Sequence, residues 1–196
     1  MRIGTAVAAA LLVTGAAAGT ANAATATPQT GALTYTCTYP GIPPQGSAFT
    51  GSFEAADQVP PGGTFTLTGA YLSHVMSPAV RSLFTAAGYD RVQGSFGASI
   101  TATNAAPDTA FISGSFPEQP IAATGSLTFT EIGDQNLTFT AGAAGPIRFT
   151  LGPQVYESLQ FHRRTTGTWV AWSSSCTLKI TSPAQNTAFQ PDIAIS

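Results

Sequence analysis

The sequence predicts an all-β domain, an antiparallel sandwich or barrel of about nine or ten short strands with one short helix. Three observations carry this. Apolar residues alternate with Thr and Ser through most of the chain, clusters of Pro and Gly interrupt the alternation at short intervals, and a single stretch departs from period two.

The first strand is read where Leu33, Tyr35, Cys37 and Tyr39 fall on one face and Thr34, Thr36 and Thr38 on the other. Phe49 and Phe53 then alternate with Thr50 and Ser52, and Phe65, Leu67 and Tyr71 with Thr64, Thr66 and Thr68. Further strands are expected around Phe96, Ala98 and Ile100, around Leu127 and Phe129, and around Leu137 and Phe139. The last ones carry Ile147, Phe149 and Leu151, then Val155, Leu159 and Phe161, and finally Cys176, Leu178 and Ile180. Turn chemistry separates them at Pro43-Pro44-Gln45-Gly46, Pro60-Pro61-Gly62-Gly63, Gly133-Asp134 and Gly145-Pro146. Phe supplies 12 of the aromatic residues against 5 Tyr and 2 Trp, so the inward faces should be built from Phe. The exception to period two begins at Ser77-Pro78, an N-cap followed by proline at the first helical position. Val80, Leu83, Phe84 and Ala87 recur at three and four, and Gly88 ends the run. A helix here should plug one end of the sandwich with Leu83 and Phe84.

Residues 1–23 read as a signal peptide: Arg2 is the basic start, Ala6 to Ala18 the apolar stretch, and Ala21-Asn22-Ala23 the cleavage pattern. The alternative, a membrane anchor, meets an apolar run shorter than the roughly 20 residues a bilayer requires. Residues 24–196 are then one secreted, extracellular domain with no membrane span after signal removal. In an exported chain the pair Cys37 and Cys176 reads as a disulfide. A reactive or metal-binding thiolate would need a neighbouring His or ligand cluster, and neither Cys has one in sequence.

Charge is scarce, with 8% of residues charged and a formal net charge of -2. A chain that is 43% hydrophobic is not of the disordered class. The absence of clustered Lys and Arg argues against nucleic acid as a partner.

The search for chemistry points to no catalytic residue, no cofactor and no metal. His74 and His162 are far apart and show no zinc-type spacing, there is no nucleophile elbow, and Ser173 to Ser175 read as a polar strand face. Glu54 with Asp57, Glu131 with Asp134, and Glu157 five residues before His162 are the acid combinations that glycoside hydrolysis would need. Each is expected as a solvated group at a strand end or turn. Gly133-Asp134-Gln135-Asn136 lacks a calcium-loop pattern, and Asn136-Leu137-Thr138 is a formal glycosylation sequon.

Polar and aromatic residues gather only between Phe161 and Trp172, a hairpin turning near Thr166-Gly167. Trp169 and Trp172, three apart, should point to opposite faces of the return strand. With the adjacent pair Arg163 and Arg164 they form the candidate ligand-binding patch, because Trp and Arg dominate recognition surfaces. The structural alternative is one core Trp, one shielded edge Trp, and arginines that protect an edge strand.

Leu33-Thr34-Tyr35-Thr36-Cys37-Thr38-Tyr39-Pro40, together with Cys176-Thr177-Leu178, Pro183 and Gln185-Asn186-Thr187, resembles a family of secreted actinobacterial β-sandwich domains of unknown function. The resemblance implies a Cys37–Cys176 bond and an immunoglobulin-like sandwich closed by it. It brings no catalytic residues. The Ser77 to Gly88 helix and the Arg163/Arg164/Trp169 hairpin have no place in the family pattern.

The expectation is therefore a non-catalytic extracellular binding or surface-associated module with a cell-wall, glycan or protein partner. A structural or self-assembling secreted protein and, third, a two-carboxylate hydrolase stay open; the sequence leaves the oligomeric state undetermined. A clustered, buried acid pair would revive the hydrolase.

Overall fold

The computed structural model describes residues 24–196; the expected signal peptide, 1–23, lies outside the described residues. The strands are β1 (Thr25–Ala26), β2 (Leu33–Tyr39), β3 (Ile42–Ala56), β4 (Gln58–Val59), β5 (Thr64–Met76), β6 (Tyr89–Thr103), β7 (Ala105–Ala106), β8 (Thr109–Pro120), β9 (Leu127–Gly133), β10 (Leu137–Ala141), β11 (Gly145–Arg163), β12 (Thr168–Leu178) and β13 (Ile193–Ile195). Helix α1 (Pro78–Ala86) joins β5 to β6. The architecture is all-β, antiparallel and sandwich-like, as expected, with β4–β13 as a short parallel pairing. Hydrogen bonding runs from β3 through β2, β12, β11, β6, β8, β9 and β5, and β5 pairs back onto β3, so the two layers are joined into a ring of eight strands. Closure leaves no free edge among these eight.

Alternation decides which residues enter. In β2 Leu33, Tyr35, Cys37 and Tyr39 are buried while the intervening threonines face solvent. The interior has two aromatic ends. Phe53, Phe65, Phe139, Phe149 and Phe189 pack at one, with Phe53–Phe149 centroids 5.3 Å apart and Phe139–Phe149 5.1 Å apart. Tyr39, Phe84, Tyr89, Phe161 and Trp172 pack at the other, under α1.

The helix starts as expected: Ser77 Oγ accepts from the Val80 amide at 3.3 Å, and Gly88 ends the turn at φ +84. Val80 and Phe84, one turn apart, face the interior, with the Phe84 ring 4.6 Å from Phe161. The expectation for Leu83 is corrected: it is 43% exposed, because a helix crossing the rim presents only its i, i+4 line to the interior.

A second correction concerns β5. Phe65 and Leu67 point inward, but Gly69 adopts φ +56 and shifts the phase of the strand. Ala70, Leu72, His74 and Met76 become the inward residues, and Tyr71 turns to the outer side.

Cys37 and Cys176 face each other on β2 and β12 and form the disulfide, closing a sequence separation of 139. The terminal Gln185-Asn186-Thr187 segment has a structural role. The Gln185 side chain accepts from the Thr34 amide at 2.6 Å and donates to the Thr34 carbonyl at 2.9 Å, so one side chain imitates a strand neighbour. Asn186 accepts from the Ala188 amide, and the Thr187 carbonyl accepts from the Leu151 amide. Phe189 is thereby delivered to the Phe53 cluster.

Candidate functional site

Two places concentrate chemistry: the outer face of β6, β11 and β12 near the hairpin, and a polar cluster inside the ring.

The hairpin turns at Arg164 to Gly167, and β11 pairs with β12 without slippage from Gln154↔Thr177 to Arg163↔Thr168. Trp169 and Trp172 point to opposite sides. Trp172 is half-buried among Phe84, Tyr89 and Phe161 and belongs to the interior. Trp169 lies outside, directly across from His162, and is 36% exposed. Its ring is held in place: the His162 ring meets it edge to face at 5.3 Å and the Arg91 guanidinium lies 5.8 Å from its centroid. A chain of polar contacts fixes both neighbours. Arg91 donates to Glu118 at 2.5 Å and to His162 Nε2 at 2.9 Å, and His162 Nδ1 donates to Asp90 at 2.7 Å. The hydrogen bond from His162 holds the Asp90 carboxyl below its ordinary range, and the charge of Arg91 adds to this. Arg163 is engaged with Tyr89, its guanidinium 5.5 Å from the ring, and Arg164 stands exposed at the turn. Of the four patch residues expected from sequence, the geometry places Trp169 on the outer face; His162, across the same hairpin, and Arg91 and Glu118, on strands far away in sequence, complete its setting.

The acids are arranged differently from expectation. Glu54 is exposed, Asp57 is partly buried, and Asp134 is an exposed turn residue that accepts from Ser113. Glu131 and Glu157, expected in solvent, are buried inside the ring. His74 lies with Nδ1 2.5 Å from Glu157 Oε1, and both side chains are 0% exposed. Phe49 stacks on the imidazole at 4.1 Å and Phe129 meets it edge-on at 5.5 Å. Tyr39 approaches the same cluster beside Ser47 and Ser174, and burial pushes its hydroxyl far up, with Glu157 adding to the effect.

Both oxygens of Glu131, together with Glu157 Oε2 and His74 Nε2, have no hydrogen-bond partner within the protein. An ionised carboxylate in that position would be strongly disfavoured. Burial, and then the charge of Glu157, hold the Glu131 carboxyl well above the ordinary carboxylate range. Glu131 therefore keeps its proton under conditions in which an exposed glutamate has lost it. Among the described residues, no group of three or more His, Cys, Asp or Glu side chains is arranged to hold a metal ion. Among the same residues, no helix is long and apolar enough to cross a membrane.

A family model described as a family of unknown function (DUF6801) matches residues 34–190, a span that includes both cysteines, the helix, the hairpin and the buried cluster. No curated protein and no solved structure matches the chain.

Proposed function

The chain belongs to this family of unknown function, and we propose that it acts as a secreted, non-catalytic binding module whose contact surface is the outer face around Trp169. The observation that carries the reading is a large aromatic ring left open to solvent while Arg91 and His162 hold its orientation. A pre-oriented aromatic loses little side-chain freedom on binding, which is how such residues become dominant contacts. Export is supported by the N-terminal pattern of residues 1–23 and by the Cys37–Cys176 bond. The absence of catalysis is supported by the enclosure of the acid pair. Glu131, Glu157 and His74 lie behind Phe49 and Phe129, so a substrate would have to part the ring to reach them.

The clustered pair is the observation that favours the hydrolase as a second reading. Loss of a measurable glycosidase activity in Glu157→Gln would establish it over the binding reading. For the module, purified protein is incubated with cell-wall material and the bound fraction measured. Retention that falls about thirty-fold in affinity in Trp169→Ala, a loss of about 2 kcal/mol, is expected. Retention unchanged by the substitution, or none at all, would overturn the assignment.

A further inference from the structure

We propose that the ligand of this face is an extended, uncharged polysaccharide lying along β11, stacked on Trp169 at one end and on Tyr156 and Phe111 at the other. The inference rests on the binding reading above and adds the ligand class and the length of the site. Between His162 and Tyr156 the register of β11 with both β6 and β12 is uninterrupted, so alternate residues share the outer face. That face carries Trp169, His162 and Arg91 in one row and Tyr156 opposite Gly97 three rows further on. Six residues of strand place the two stations about 20 Å apart.

The second station is also held in place. Phe111 is 51% exposed and Tyr156 49% exposed. The Phe111 ring lies against Gly97 so closely that a Cβ there would collide with it, so the missing side chain is what lets the ring rest on β6. The Tyr156 hydroxyl donates to Gln154. Exposed aromatics restrained in this way are stacking surfaces for the apolar face of a sugar ring.

The floor between the stations is polar without charge. Gln93 donates to Gln160 at 2.6 Å, which leaves the Gln93 carbonyl and the Gln160 amino group for ligand hydroxyls. Ser95 and Ser158 border the same shallow depression of about 260 Å³. Ala171, Ser173 and Ser175 continue the face on β12. At the Trp169 end Arg91 is paired with Glu118 and His162 with Asp90, and the exposed Arg164 lies in the turn, past the last rung of the β11–β12 ladder rather than in the row of Trp169. A neutral chain with alternating apolar ring faces and hydroxyl edges matches this order of surfaces.

Soluble chains of amylose, mannan and xylan, graded from two to eight sugars, are titrated calorimetrically into the purified protein, with polygalacturonate as the charged control. For at least one neutral polymer, affinity should rise with chain length until both stations are spanned and then level off, with little change between low and high salt. Trp169→Ala and the double variant Phe111→Ala/Tyr156→Ala should each weaken the long chain at least ten-fold, and the double variant should remove the gain from length. Unchanged thermal midpoints show that these exposed substitutions leave the fold intact. Binding that depends on Trp169 but ignores the double variant overturns the extended site and leaves the module standing. Preference for polygalacturonate, or capture of a protein partner or a second copy in place of every polymer, overturns the ligand class alone. No binding to the three polymers while cell-wall retention persists also overturns the proposed class; loss of both removes the module as well.

Discussion

Replacing Glu131 by Gln should change how the stability of the domain depends on pH. The folded state raises the pKa of this carboxyl above the unfolded value near 4.5, through burial and the charge of Glu157. A group raised on folding binds its proton more tightly in the native state. Its stabilising effect is fully present below the unfolded pKa and is lost as pH rises through the folded one. Within that window each pH unit removes up to about 1.4 kcal/mol, or about 3–5 °C in thermal midpoint for a chain of this length. Glutamine copies the shape of the protonated acid and has no proton to lose. As the pH rises above the unfolded value near 4.5, the native protein should therefore lose stability relative to Glu131→Gln, the variant gaining ground as the solution becomes less acidic. Urea unfolding followed by tryptophan fluorescence across that range measures the difference directly, since other titrations largely cancel between the two proteins. Parallel pH profiles would refute the retained proton. So would a neutral-pH destabilisation by Glu131→Gln larger than that of Glu157→Ala, which strips His74 of its acceptor, leaves a cavity and should cost about 3 kcal/mol or more.

Three further outcomes follow from the packing. Cys37→Ser/Cys176→Ser opens a loop of 139 positions and should lower stability by roughly 5 kcal/mol in the loop-entropy limit, read as a lower urea midpoint. Phe84→Ala empties the aromatic end beneath α1, where Phe161, Trp172 and Tyr39 lose their partner, and should cost about 3–5 kcal/mol, whereas Leu83→Ala beside it should fall within about 0.5 kcal/mol. Ser77→Ala removes the cap on the Val80 amide and should cost about 1 kcal/mol, visible as a small fall in thermal midpoint.

Most strands, the helix cap and the disulfide were legible because each is written locally: period two in β2, Ser-Pro before α1, two cysteines in an exported chain; β8 was not among the expected strands, Pro43 to Gly46 and Gly145-Pro146, expected as turns, lie within β3 and β11, and the two strands expected from Ile147 to Phe161 are the single strand β11. The buried acids were legible too, but the residue type hid them. Glu157 lies midway between the inward Val155 and Leu159, Glu131 continues the inward series Leu127 and Phe129, and His74 falls between Leu72 and Met76. Reading acids as solvated overrode the period that placed them inside. Their meeting could not be read, since it depends on β5, β9 and β11 closing one ring and on the phase shift at Gly69. The outer face divides in the same way. Trp169 was found from its own strand, while Arg91, Phe111 and Tyr156 reach it only through registers set by long-range pairing.

The position of the disulfide matters for a protein anchored or held at its ends. Cys37 lies near the start of the described chain and Cys176 near its end, and every residue of the outer face, from Arg91 to Trp169, lies between them. Tension applied at the termini would travel along the first few residues, cross the sulfur bridge and leave by the last few. The chain between the two cysteines would hang from that bridge as an unloaded loop. A grip made by Trp169 could then survive stretching that peels away both terminal segments.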